Sequence, residues 1–142
     1  NDGYTIYGRS DATLNAGGVR IGTSEIYRVV ENIDTIIECV AVEHSLYTDT
    51  EVILFVKLNS NNSLDDILIK NIKLEIRTNL SPKHIPSKIF EVSDIPKTKS
   101  GKIVELSIKN IINGMEIENE NALANPDCLK EYQSIYNLLK EN

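Results

Sequence analysis

The double glycine Gly17-Gly18 constrains this chain more than any other feature, because of what stands on either side of it. Before it runs the polar and charged stretch Gly8-Arg9-Ser10-Asp11-Ala12-Thr13-Leu14-Asn15-Ala16. After it come Val19-Arg20-Ile21-Gly22 and then a helix start at Thr23-Ser24-Glu25. Glycine takes positive φ freely and lets another backbone or a ligand come close, so the pair predicts a two-stranded ribbon that turns at its glycines. The ribbon feeds an amphipathic helix, with Thr23 as N-cap and Glu25 complementing the helix dipole in the first turn. Arg20 stands beside the turn. The stretch reads either as a presenting loop flanked by Arg20 or as a hairpin turn with an exposed arginine.

Past this ribbon, Ile26, Val30 and Ile33 share one face and predict a short helix to about Glu31 or Asn32. The β-branched runs Ile36 to Val42 and Val52 to Leu58 predict strands, joined by a polar link from Glu43 to Glu51. Leu64, Leu68, Ile72, Ile76 and Leu80 recur every four residues, so Leu64 to Leu80 is the longest predicted helix, with Ser63-x-x-Asp66 as an acidic capping box. Pro82 and Pro86 end it, and the alternation Lys88-Ile89-Phe90-Glu91-Val92 predicts a third core strand. Val104, Ile108, Ile111 and Ile112 mark a helix that stops at Gly114. Asn113 to Asp127 reads as a loop, and Leu129, Tyr132, Tyr136 and Leu139 place an apolar stripe on a last helix. Strands and helices mix without the rhythm of a doubly wound sheet. The expected fold is therefore α+β, a small mostly antiparallel sheet covered by helices with the two-stranded ribbon at its start.

The length of 142 residues suits one domain, 1–142, able to bury a core without disulfides or metals, with 113–142 as a C-terminal loop and helix extension. The strand-like Tyr4-Thr5-Ile6-Tyr7 has nothing before it that could cap or form a helix, which reads as a domain cut from a longer chain at a linker. A net charge of -6 argues against general affinity for nucleic acid or an anionic membrane. Cys39 and Cys128 lie far apart, so free thiols in a reducing compartment are expected. No run approaches the roughly 18 apolar residues of a membrane span, and no signal-peptide pattern is present, so the default location is cytoplasmic. His44 and His84 lack cysteine or acidic partners at ligand spacing, and no metal site is expected.

A second distinctive stretch is Ile95-Pro96-Lys97-Thr98-Lys99-Ser100-Gly101-Lys102. It is not a phosphate-binding P-loop, because Pro96 occupies the place of the first glycine and Ile103 follows the lysine. It reads as a solvated basic turn or as a loop that carries the compact charge of Lys102 to a developing anion.

Gly8-Arg9-Ser10-Asp11, Gly18-x-Arg20-x-Gly22 and Glu25-Ile26, followed far downstream by the Lys102 stretch, resemble the first and last motifs of the C-terminal domain in the acyl-CoA synthetase, adenylation-domain and luciferase superfamily. The wording Ala12 to Tyr27, the region Asn121-Ala-Leu-Ala-Asn-Pro-Asp127, and Val104-Glu105-Leu106 after the lysine are similar to the acetoacetyl-CoA synthetase family. The resemblance implies an ATP-dependent acid-thiol ligase, an enzyme that forms an acyl-adenylate and pyrophosphate from ATP and an acid, then acyl-CoA and AMP. It implies ATP, with Mg2+ alongside it, and coenzyme A as substrates, none tightly bound, and a short-chain keto acid, acetoacetate. The phosphate loop, the ribose-binding aspartate and the acyl pocket belong in this superfamily to a larger N-terminal adenylation domain, the implied partner. These 142 residues alone are therefore expected to be inactive.

By the same resemblance Lys102 is the catalytic lysine of adenylation, Asp11 the hinge between the two half-reactions, and Arg9 lies near the nucleotide ribose. Arg20 meets the nucleotide phosphate in the thiolation state, and Gly18 lines the pantetheine tunnel. Arg77 stands 25 residues before Lys102, the spacing at which the related acetyl-CoA synthetases place an arginine on the CoA 3′-phosphate. It reads equally as a cation complementing a helix end. Lys83 and His84 are further candidates for that anion. Acylation of Lys102 would remove its charge, so an acetyltransferase and a deacetylase are expected regulators. Two other readings stay open: the same domain of another short-chain synthetase, and a non-catalytic nucleotide or anion-binding module using Lys83, Lys88, Lys97, Lys99 and Lys102.

Overall fold

The computed structural model describes residues 13–16, 19–46, 49–59, 62–117 and 123–140. They form two compact units, residues 13–93 and 94–140.

The first unit opens with the predicted ribbon, β1 (Thr13–Ala16) paired antiparallel with β2 (Val19–Gly22). Helix α1 (Thr23–Val30) follows directly. Gly22 rather than Thr23 is its N-cap, and no side-chain cap is made, because Thr23 is buried as the first helical residue. Strand β3 (Ile36–Ser45) and strand β4 (Thr50–Leu58) pair antiparallel over a longer register than the apolar runs suggested, with His44 opposite Glu51 and Ser45 opposite Thr50. Helix α2 (Asp66–Asn79) leads to strand β5 (Lys88–Glu91), which lies parallel to β4. Among the described residues, two of the three strand pairings are thus antiparallel. The third is parallel because α2 carries the chain back along the sheet before β5 begins, as a parallel pair requires.

Strand β4 lies between β3 and β5 and is buried at six successive positions, Glu51 to Val56, which means that both its faces are covered. Ile26 and Val30 of α1, Val40 and Val42 of β3, and Ile72 and Ile76 of α2 complete this core. The cap of α2 is Asp65, whose carboxylate accepts from the Leu68 N–H at 2.8 Å. Ser63 falls too early in the chain for that role. The hydroxyl of Tyr27 accepts from the Ala41 N–H at 3.1 Å and approaches the Ala41 carbonyl at 3.3 Å, and Glu31 accepts from the Cys39 N–H at 3.2 Å.

Glu51 is a buried carboxylate in this unit. Lys88 donates to both of its oxygens at 2.9 and 3.0 Å, and His44 Nδ1 lies 2.7 Å away. Burial raises the Glu51 pKa, but hydrogen bonds and charges from Lys88 and His44 outweigh it and hold the carboxyl below its ordinary value of 4.5. A carboxyl depressed on folding stabilises the fold above its unfolded pKa, and that contribution is lost as pH falls through the folded value. Lys88→Met leaves burial opposed by His44 alone. Urea titrations between pH 3 and 7 are expected to show a smaller loss of stability on acidification in the variant, because its Glu51 carboxyl is no longer held as far below its unfolded value. Because Lys88 is 40% exposed, the loss at neutral pH should be about 1–3 kcal/mol, below that of a fully buried pair. An unchanged acid limb would refute this account.

In the second unit, α3 (Glu105–Ile112) packs on α4 (Leu129–Lys140). Ile95, Ile108, Ile111, Ile112, Leu123, Leu129, Tyr132, Ile135 and Leu139 are buried. Ile135 takes the core place expected of Tyr136, which is half-buried. Helix α3 ends at the predicted glycine: Met115 N–H donates to the Asn110 carbonyl at 2.7 Å, Gly114 N–H to the Ile111 carbonyl at 3.0 Å, and Gly114 has φ +75°. That is a Schellman ending, whose left-handed residue favours glycine. Among the described residues no helix is long and apolar enough to cross a membrane.

Candidate active-site loop

Lys102 sits on a tight hairpin whose geometry follows from its sequence. Gly101 N–H donates to the Thr98 carbonyl at 2.9 Å, closing the turn Thr98-Lys99-Ser100-Gly101, and Thr98 N–H donates to the Lys102 carbonyl at 2.8 Å. Gly101 has φ +93°. A turn followed by one left-handed residue is a standard way to close a three-residue hairpin, and glycine takes that conformation without strain. The Thr98 hydroxyl accepts from the Lys102 N–H at 3.1 Å and lies 3.0 Å from the Ser100 hydroxyl. Beyond the turn Lys97 pairs with Ile103, and Val104 N–H donates to the Pro96 carbonyl at 2.9 Å. Ile95 and Pro96 are buried at the base while Lys99, Ser100, Gly101 and Lys102 are exposed. Among the described residues no carboxylate lies within ion-pair distance of Lys102.

The base of the hairpin is held by residues that the sequence did not single out for a site. Thr98 pairs with Leu123, and the Lys97 carbonyl accepts from Ala124 N–H at 2.8 Å. Asn125 accepts from Lys97 N–H at 2.9 Å and donates to the Asp94 carboxylate and the Ile95 carbonyl, both at 2.8 Å. Tyr132, fully buried on α4, donates to the Asp94 carbonyl at 2.7 Å. Partners 28 to 38 residues apart carry no local pattern, so periodicity could not reveal them. Cys128 is no nucleophile: burial, with Asp94 and Glu131 adding, pushes its thiol up to about 11.

The remaining candidates fall in the first unit or outside the described residues. Arg20 is exposed on β2 opposite Asn15. Arg77 is exposed in the last turn of α2, where it complements the helix end and remains open to an anion. Arg9, Asp11 and Gly18 lie outside the described residues. Lys83 is exposed, whereas His84 shares a hydrogen bond of 2.7 Å with Ser81 and lies 3.6 Å from Glu25. Ser81 also accepts from Lys83 N–H at 3.2 Å, so this group caps the short 3-10 turn Pro82–His84. Lys88 is committed to Glu51. Among the described residues, no three His, Cys, Asp or Glu side chains gather as a metal site would require.

The chain is similar to known proteins over nearly its whole length. Acetoacetyl-coenzyme A synthetase of Rhizobium meliloti (strain 1021) is 47% identical over 136 residues, 96% of this chain and 21% of the relative. Acetoacetyl-CoA synthetase of Caenorhabditis elegans is 44% identical over 134 residues, 92% of this chain and 19% of the relative. The solved acetoacetyl-CoA synthetase from Streptomyces lividans matches with a TM-score of 0.76 at 35% identity, covering 88% of this chain and 19% of that chain. The chain therefore spans about a fifth of the length of the relatives it matches. The family model of the AMP-binding enzyme C-terminal domain matches residues 25–102, more than half of the chain, and its match ends on Lys102. This chain belongs to the AMP-binding enzyme C-terminal domain family.

Proposed function

We propose that this chain is the mobile C-terminal domain of an AMP-forming acid-thiol ligase, and that its acid is acetoacetate. The observation that carries the reading is an exposed lysine, free of carboxylate partners among the described residues, on a hairpin closed by a left-handed glycine in a domain of this family. The acid carboxylate attacks the α-phosphate of ATP and pyrophosphate leaves. Lys102 places a fixed positive charge among the carboxylate, phosphate and bridging oxygens as negative charge builds there. The domain then turns about Asp11. In the second arrangement Arg20 meets the nucleotide phosphate, Gly18 leaves room for the pantetheine thiol that displaces AMP, and Arg77 takes the CoA 3′-phosphate. Arg9 stays with the ribose.

The choice of acetoacetate is supported by the 40–47% identity to acetoacetyl-CoA synthetases of several organisms. Both cysteines are free thiols, which suits the cytoplasm. The reading as an anion-binding module loses Lys88, and its remaining lysines belong to two different units. Lys102, exposed on the hairpin, is open to a protein acetyltransferase, and acetylation would remove the charge that adenylation uses.

The test is to assay the purified 142-residue chain and the complete parent enzyme with ATP, CoA and a series of short acids. The chain alone is expected to make no thioester. The parent is expected to make acetoacetyl-CoA, AMP and pyrophosphate, with kcat/KM at least about tenfold higher for acetoacetate than for acetate, the difference of about 1.4 kcal/mol that a few contacts supply. Turnover by the chain alone, or a preference for another acid, would overturn the corresponding part of the reading.

A further inference from the structure

We propose that Asn125, supported by Tyr132, is a positioning residue for Lys102, and that residues 123–132 serve as a clamp for the catalytic hairpin; the proposal rests on the adenylation role given to Lys102 above. An isolated two-stranded hairpin is marginally stable in water, and this one closes through few cross-strand hydrogen bonds. A third segment holds it. Both backbone polar groups of Lys97 are taken by that segment, its carbonyl by Ala124 and its N–H by Asn125, while Leu123 pairs with Thr98 at the mouth of the turn.

The side chain of Asn125 spans the hairpin base. Its oxygen accepts from Lys97 N–H, and its two N–H donors go to Asp94 and Ile95. Turning the amide over would set its N–H2 against the Lys97 N–H and its oxygen against the Asp94 carboxylate, so the network admits one orientation. Asp94 is itself fixed at both ends, its carboxylate accepting from Ile95 N–H at 2.9 Å and its carbonyl from the Tyr132 hydroxyl. The chain entering the hairpin is therefore tied to α4, and the charged tip is built outward from that anchor. A displacement of about 1 Å at a reacting group can cost up to about a hundredfold in rate, so a looser base should act on the step that uses Lys102.

The experiment uses the complete enzyme and measures the two half-reactions apart: ATP-pyrophosphate exchange with acetoacetate, and thioester formation from preformed acetoacetyl-adenylate and CoA. Asn125→Asp keeps the shape, removes both donors and sets two carboxylates together. It should lower exchange by about 10- to 50-fold and leave thioester formation within about twofold. Adding Asp94→Asn restores a donor facing the introduced carboxylate and should recover about half of that loss on a logarithmic scale. Tyr132→Phe, which removes one hydroxyl from a packed ring, should lower exchange by about 3- to 10-fold. In a Lys102→Ala background neither variant should reduce exchange further, because the group being positioned is gone.

A loss with Lys102→Ala but none with Asn125→Asp or Tyr132→Phe overturns the clamp alone. Equal loss of both half-reactions in these variants also overturns it, since general damage to the unit then accounts for the effect. No loss with Lys102→Ala overturns the role of the lysine, and the clamp with it. Should Asn125→Asp fail to fold, Tyr132→Phe decides by the same criteria.

Discussion

Lys102→Ala in the complete enzyme is expected to lower the adenylation rate by about a hundredfold to a thousandfold while sparing the transfer of a preformed acyl-adenylate to CoA. The size follows from removing one preorganised positive donor from a place where negative charge develops, which typically costs about 3–4 kcal/mol. The selectivity follows from the proposed rotation, after which the hairpin no longer faces the reacting carbonyl. Local structure should survive the change. The turn is closed by the backbone of Thr98, Gly101 and Lys102 and by the Thr98 hydroxyl, none of which involves the Lys102 ammonium. Pyrophosphate exchange and single-turnover thioester formation, measured separately, check the prediction. Normal exchange, or failure in both assays, would show that the lysine does something else.

Gly114→Ala is expected to cost the second unit about 2–4 kcal/mol, more than the same change at Gly101. Both glycines have positive φ, where a side chain adds strain of about 1–2 kcal/mol. Their surroundings differ. A Cβ at Gly101 would meet nothing within 4 Å, whereas one at Gly114 would stand 2.8 Å from the Tyr136 hydroxyl oxygen and 3.2 Å from the ring carbon that carries it. Overpacking of that kind adds roughly 1–3 kcal/mol, and the half-buried Tyr136 ring can relieve part of it by moving outward. Urea unfolding of the 142-residue chain should rank the variants in that order. Tyr136→Ala should remove the steric share in a double-mutant cycle and leave the strain. Equal losses at the two glycines would mean that contact with Tyr136 does not matter.

Much of this was legible because the relevant forces are local. The four-residue recurrence from Leu64 to Leu80 identified α2, and Gly114 marked the end of α3, since each reflects one helix and its cap. The runs of β-branched residues marked β3 and β4, but their ends were set by cross-strand pairing, which drew in polar residues as far as Ser45 and Thr50. The buried ion cluster was hidden for the same reason: Glu51, His44 and Lys88 come together only once β5 lies beside β4. Among site residues, the turn chemistry of Thr98 to Gly101 could be read from the motif. The support from Asn125 and Tyr132 could not, because it depends on a return of the chain from across α3.

The single hydroxyl of Tyr27 has a colloidal consequence. Strand β3 is an outer strand of its sheet, and such a strand ordinarily offers its unpaired N–H and C=O groups to any other extended chain. Tyr27 lies against both backbone groups of Ala41, and Glu31 takes the N–H of Cys39, so two successive outward-facing positions are already occupied by side chains from α1 and its C-cap. A second copy approaching there would have to displace a buried ring and a carboxylate before it could form its first hydrogen bond. Helix α1 therefore guards the middle of this edge against strand addition between molecules, and thereby favours solubility over fibrous self-association.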